Sequence, residues 1–521
     1  MEDNMRSRLE ELEKKRARLV QGGGLPAIEK QHKRGKLTAR ERVDKLLDTG
    51  SFVEFDLWAL PRKTGFDVDE RELPGDGVIT GYGEIDRRPV CIYAQDFTVL
   101  AGTLGSTHAK KIIRVLKRAL KMQVPLIGMI DSGGVRVQDY VTADPNDSYA
   151  TMFYYHTNSS GVIPQIALMM GPCAAGASYS PMLHDMLFMV KDTSYMYIAS
   201  PALLKSVTSE DITDQELGGA KIHATVSGCC DVLVDNDEDC LRKTRKLLGF
   251  LPQNCTEKPP YQDTGDDVNR REEDLVDIVP TNPAKPFDMH KVISRVVDKG
   301  DFFEIKAEYA KNMIVGFARL GGNAVGIVAN NPLYLAGALD INSSDKEARF
   351  IRFCDAFNIP LIFMVDTPAY LPGKDQEHQG IIRHGAKVLY AIAESTVPKI
   401  TVYIRKSYGG ASAAMCYEPM GCDLALAWPT AEVALMGGSG AVNILYGKEI
   451  AAAENPEELR RKRLEEYSSK WGKQPYHAAG LMRIEEIIDP RDTRPMLIKG
   501  LSMMGEKREF KYPKKHGNIP L

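Results

Sequence analysis

A chain of 521 residues outgrows a single hydrophobic core, so two domains are the starting expectation. With 43% apolar residues, 26% charged residues and a formal charge of -3, it has the balance of a globular protein and no excess of positive charge to favour nucleic acid. No run approaches the roughly 18 uncharged apolar residues of a membrane span, and Met1-Glu2-Asp3-Asn4 opens no signal peptide, so a cytoplasmic protein without membrane insertion is expected.

Residues 5–18 carry dense alternating charges with Leu9 and Leu12, which predicts an exposed amphipathic helix. The basic clusters at 30–36 and 511–516 read either as solvated surface or as phosphate contacts. Residues 110–122, with Ile112, Ile113, Leu116 and Leu120, predict a helix. The apolar runs 126–130, 166–170 and 186–190 read as buried strands, and strands alternating with helices predict an α/β fold with largely parallel pairing. Residues 252–273 are poor in apolar side chains and rich in breakers, as a domain linker would be. Nine scattered cysteines lack C-x-x-C spacing and read as reduced core thiols, with no metal site.

The chain repeats itself. Residues 124–131 reappear as 359–366, a displacement of 235; 79–83 and Ala101-Gly102 match 314–318 and Ala336-Gly337 at the same displacement. Ala175-Gly176-Ala177-Ser178 matches Gly409-Gly410-Ala411-Ser412 at 234. An ordered series of anchors at one displacement predicts two copies of one fold, with domains over residues 1–258 and 259–521.

The strongest chemical candidates are the equivalent small-residue turns, 171–177 and 407–412, each following an apolar run. Such turns expose backbone N–H groups suited to an oxyanion, although tight strand-to-helix packing also uses small residues. Two equivalent turns imply a reaction that develops two oxyanions. A second pair, Asp131-Ser132-Gly133-Gly134 and Asp366-Thr367-Pro368, offers further N–H donors, an acyl-pocket wall, or structural turns. The chain has no G-x-S-x-G elbow, phosphate loop or H-E-x-x-H, and His378 and His384 read as polar surface or interface residues. A missing general base leaves room for a cofactor that takes the proton.

Several segments resemble the carboxyltransferase (β) subunits of the propionyl-CoA carboxylase and methylmalonyl-CoA decarboxylase family. They include 35–42, Gln95-Asp96-Phe97-Thr98-Val99, 163–166, Asp340-Ile341-Asn342-Ser343-Ser344, 354–360, Gly380-Ile381-Ile382-Arg383, 396–401 and 514–521. The resemblance implies two tandem crotonase-like ββα-spiral domains and a homohexamer. It implies that the first-half turn binds the acyl-CoA carbonyl through Ala175 and Gly176, with Gly133 and Gly134 at the substrate. Gly410 and Ala411 of the second half would bind the biotin ureido oxygen, beside Gly409 and Ala413. The activity implied is CO2 transfer from carboxybiotin to the α-carbon of an acyl-CoA through a thioester enolate. Carboxybiotin would arrive on a biotin carboxylase or biotin carboxyl carrier partner, since this chain has no Met-Lys-Met segment.

Three departures from the family pattern stand out: Ala175 in place of a glycine, Gly134-Val135-Arg136-Val137-Gln138-Asp139-Tyr140 with an aromatic-rich 149–156, and Ala413 in place of an aspartate. They suggest an acyl group larger than, or differently substituted from, propionyl. Three alternatives stay open: the transfer subunit of a sodium-pumping decarboxylase, a biotin-independent hydratase or isomerase, and a noncatalytic scaffold.

Overall fold

A computed structural model describes residues 4–141, 144–467, 469 and 475–521; the first three residues of the N-terminal reading lie outside these. The chain divides into two compact units, Met1–Glu257 and Lys258–Leu521.

The first unit is built on a seven-stranded sheet ordered Val53–Phe55, Val78–Ile85, Arg88–Gln95, Leu126–Ile130, Gln165–Met169, Met186–Val190, Val232–Val234. The first three strands are antiparallel and every later pairing is parallel. All five residues of Leu126–Ile130, Gln165–Met169 and Met186–Val190 are buried, the pattern of strands covered on both faces. The helix Ser106–Met122 lays Ile112, Ile113, Val115, Leu116 and Ala119 into this core, and left-handed Gln123 ends it ahead of Pro125.

The second unit repeats the plan with an eight-stranded sheet. Antiparallel Phe302–Ile305, Met313–Leu320 and Asn323–Asn330 lead into parallel Leu361–Thr367, Lys399–Tyr408, Leu424–Ala427 and Glu486–Ile487, while Glu432–Ala434 pairs with Lys399–Tyr408. Asp340 caps the helix Ile341–Ala356 in a box with Ser343. Both units force a glycine at the same point. A Cβ on Gly102 would lie 2.4 Å from the Asp131 carbonyl, and one on Gly337 would lie 2.3 Å from that of Asp366.

The helix Met5–Leu19 forms and buries none of its residues. The breaker-rich segment 252–273 is irregular but not loose. Asn254 donates to the Gln123 carbonyl within the first unit, and Gln262 and Arg319 bond Gly322 and Pro260 within the second. Backbone polar groups of an irregular stretch still need partners, and each side takes them from its own unit. The cysteines are free thiols. Among the described residues no helix is long and apolar enough to cross a membrane, and no three His, Cys, Asp or Glu are placed to hold a metal ion.

Candidate functional site

In the first unit the strand Gln165–Met169 gives way to Gly171, the short strand Pro172–Ala174 and a helical turn over Ala175–Ser178. The base of this turn is set by buried Asp131, whose carboxylate lies where a Cβ on Gly171 would fall, 1.9 Å away. Lys36 (2.7 Å), Arg42 (2.9 Å) and Gln31 (3.0 Å) neutralise and saturate that carboxylate. Lys36 is therefore neither the solvated cation nor the phosphate contact that its basic cluster suggested; Lys30, Lys33 and Arg34 remain exposed.

Ala175 enters the turn at φ +56°, a left-handed conformation, with its methyl exposed. The first N–H groups of a helical turn have no partner inside it, and no side chain caps this one. A Cβ on Gly176 would meet nothing within 4 Å, so the backbone there is open to a ligand. Gly133 and Gly134 lie alongside, but their N–H groups are already engaged, Gly133 with the Ala101 carbonyl (2.8 Å) and Gly134 with Ser132 Oγ (3.1 Å). Of the readings offered for this pair, extra donors to a ligand are removed; a wall or a turn remains. Next to them, Leu104, Val135, Asp139, Tyr140 and Tyr149 line a cavity of about 520 Å³. It coincides with the 134–140 and 149–156 departures.

In the second unit the strand Lys399–Tyr408 runs four residues beyond the apolar run 397–404 read from the sequence and feeds the helix Gly409–Ala414. Buried Asp366 again sets the base, pairing with Arg405 (2.7 Å) and accepting from the Lys406 N–H (3.1 Å). Gly409 sits at φ +55°, and a Cβ there would press to 2.9 Å from the Leu435 carbonyl. Gly410 is exposed, its nearest neighbour to a would-be Cβ being the Tyr370 ring at 3.8 Å. Ala411 is buried and Ala413 half-buried. Ser407 and Ser412 hydroxyls bond each other at 2.7 Å and close the turn from behind.

The left-handed positions make Ala175 equivalent to Gly409 and Gly176 to Gly410. The donor pairs anticipated from sequence, 175–176 and 410–411, are thus one residue out of step with each other. Neither turn holds a carboxylate or imidazole. Cys173, the thiol within the first, is buried and its pKa is pushed up to about 12 by desolvation, so it stays protonated. His378 is exposed, while His384 is half-buried against Asp345 (2.9 Å). Sequence spacing also concealed a buried pair behind the first turn. His156 and His184 lie with ring centroids 4.3 Å apart, and Ser180 Oγ bonds His156 Nε2 at 3.0 Å.

The profile of the carboxyl transferase domain matches residues 30–519. The methylmalonyl-CoA decarboxylase subunit alpha of Veillonella parvula is 50% identical over 517 residues, covering 99% of both chains. The propionyl-CoA carboxylase carboxyltransferase subunit of Haloferax mediterranei is also 50% identical, over 99% of this chain and 100% of that one. The crystal structure of transcarboxylase 12S, described as a hexamer assembly with methylmalonyl-coenzyme A and methylmalonic acid bound, superimposes with a TM-score of 0.96. It is 46% identical and covers 100% of this chain and 99% of its own.

Proposed function

Because the chain belongs to the carboxyl transferase domain family and is a carboxyltransferase of the biotin-dependent acyl-CoA carboxylase type, we propose that its two turns divide the reaction between them. The first unit takes the acyl-CoA thioester and the second the biotin ureido ring. The observation that carries this division is the matched left-handed entry at Ala175 and Gly409, each opening an exposed, small-residue turn without a carboxylate or imidazole.

The N–H groups of Ala175 and Gly176 donate to the thioester oxygen as enolate charge develops, and those of Gly410 and Ala411 donate to the ureido oxygen. Each preorganised donor contributes roughly 3–4 kcal/mol to the barrier reduction. Carboxybiotin, carried by a biotin carboxyl carrier partner, supplies CO2 and then a base for the α proton. The open backbone at Gly410 fits a flat ring laid against the turn. Gly133, Gly134 and the cavity at Val135 and Tyr149 shape the acyl pocket, while Gly409 and Ala413 shape the biotin side. Holding both reactants on rigid turns adds an entropic contribution that needs no reactive side chain.

The hexamer described for transcarboxylase 12S supports a homohexamer of this chain, in the cytoplasm, with an acyl-CoA other than plain propionyl-CoA as substrate. The decarboxylase relative supports a second reading, in which the same transfer runs from thioester to biotin. The purified chain should decarboxylate malonyl-CoA, methylmalonyl-CoA or a related thioester only when free biotin is present, read by mass spectrometry. A folded oligomer that is inert toward the whole panel would overturn the assignment.

A further inference from the structure

The two turns share a left-handed entry and small residues, so their N–H groups alone do not tell a thioester oxygen from a ureido oxygen. The internal repeat shows where the units differ. In the first, the Leu104 N–H donates to the Gly134 carbonyl (2.8 Å) and the Arg136 N–H to the Leu104 carbonyl (3.0 Å). In the second, the Leu339 N–H donates to the Ala369 carbonyl (3.0 Å) and the Leu371 N–H to the Leu339 carbonyl (2.7 Å). Each member of the second pattern stands 235 residues after its counterpart, so Val135 and Tyr370 occupy one backbone position, the bridge partner of Leu104 in one unit and of Leu339 in the other.

The side chain at that position changes the room beside the turn. In the first unit Val135 lines the cavity of about 520 Å³, and a Cβ on Gly176 would meet nothing within 4 Å. In the second unit a Cβ on Gly410, the equivalent of Gly176, would lie 3.8 and 3.9 Å from two carbons of the Tyr370 ring. An aromatic ring thus stands where the first unit has open space. Gly385, buried in the helix Ile381–Glu394, lets the ring in: a Cβ there would come within 3.0 Å of its hydroxyl. That hydroxyl is buried and has no hydrogen-bond partner among the described residues, a cost that a hydrocarbon side chain would not carry. The first unit makes the same bridge with valine, so the bridge itself does not require the phenol.

A thioester held by its oxygen sends an acyl branch away from the carbonyl carbon, and the cavity at Val135 gives that branch room. The same approach at the second turn drives the branch into the Tyr370 ring, and packed side chains yield little to such an overlap. A ureido oxygen belongs to a flat ring, which can lie against an aromatic face. We propose that Tyr370 is a specificity-determining residue of the second turn. Its ring occupies the room that the first turn leaves to an acyl group, so the second turn takes the ureido ring and rejects thioesters. The inference rests on the assignment of the second turn to biotin.

The test uses the full chain, the best CoA thioester held saturating, free biotin as the varied acceptor, and the N-acetylcysteamine thioester of propionate as inhibitor. This probe carries a thioester without the CoA nucleotide. Tyr370→Val copies the first unit. The competitive inhibition constant of the probe against biotin should fall at least about tenfold, with KM for the CoA thioester unchanged. Tyr370→Phe keeps the ring and should exclude the probe as wild type does, within about twofold. Val135→Tyr, the reciprocal change at a position 37% exposed, should raise KM for the CoA thioester at least about tenfold and leave KM for biotin unchanged. A general loss of stability would not divide between the two reactants in this way. A folded Tyr370→Val protein with a wild-type inhibition constant would overturn the inference, and so would a Tyr370→Phe protein that admits the probe. Should Tyr370→Val not fold, an unchanged thioester KM in Val135→Tyr would overturn it. Wild-type chain that transfers nothing to biotin would instead sink the functional assignment beneath it.

Discussion

Replacing Ala175 by glycine, and Gly409 by alanine, sets the same conformation against opposite residues. Ala175 holds φ +56° with its methyl exposed, so truncation loses almost no burial and relieves a left-handed backbone that costs an L-residue roughly 1–2 kcal/mol. The added freedom of glycine in the unfolded chain takes back about 0.5–1 kcal/mol. Ala175→Gly should therefore stabilise by about 0.5–1 kcal/mol, a rise of about 1–4 °C in the thermal midpoint for a unit of this size. It keeps the N–H donor and clears the approach, so kcat/KM for bulkier thioesters should rise. Gly409→Ala adds the same strain at φ +55° and drives a Cβ to 2.9 Å from the Leu435 carbonyl, so it should cost roughly 1–3 kcal/mol. Differential scanning fluorimetry of both variants, beside a thioester panel, decides. A lower midpoint for Ala175→Gly, or an unchanged one for Gly409→Ala, would refute the argument from backbone conformation.

Gly410→Pro deletes one N–H within the first helical turn, where proline is tolerated, and should lower kcat for biotin-dependent transfer about 10²-fold with thioester KM unchanged. Asp366→Ala strands Arg405, buried with it at 2.7 Å, and should destabilise by roughly 3–5 kcal/mol in urea unfolding. Acid should weaken the first unit through its buried neutral histidines. Desolvation lowers the pKa of His108 to about 3 and of His156 to about 4, against 6.5 when unfolded. Depressed pKa values on bases mean that the unfolded chain binds more protons, so this stability is lost as pH falls below 6.5, by about 2 kcal/mol per histidine at pH 5. Midpoints measured from pH 7 to 5 should fall more steeply for wild type than for His156→Gln; parallel curves would contradict this.

Much of the fold was legible because its signals are local. Buried strands must be continuously apolar when helices cover both faces, and Leu126–Ile130 and Met186–Val190 were found at their full extent. The strand Lys399–Tyr408 was cut short because Arg405 and Lys406 interrupt its apolar run. Those charges are buried against Asp366, a pairing 39 residues away that no hydrophobic pattern reports. The turns at 171–177 and 407–412 were legible from small residues and the repeat. The engaged N–H groups of Gly133 and Gly134 were not, since their acceptors are the Ala101 carbonyl and the Ser132 hydroxyl.

By itself the sequence determined that the chain is two copies of one α/β plan and singled out the two turns proposed to carry its chemistry, because repeat displacement and hydrophobic period are properties of residue order. Only the tertiary structure decided the rest. It showed which cations neutralise Asp131, which residues take the left-handed entry to each turn, and that the Tyr370 ring stands beside Gly410. Each of these depends on groups brought together from distant positions, where dielectric environment and close packing are set by neighbours in space, which the neighbours in sequence do not reveal.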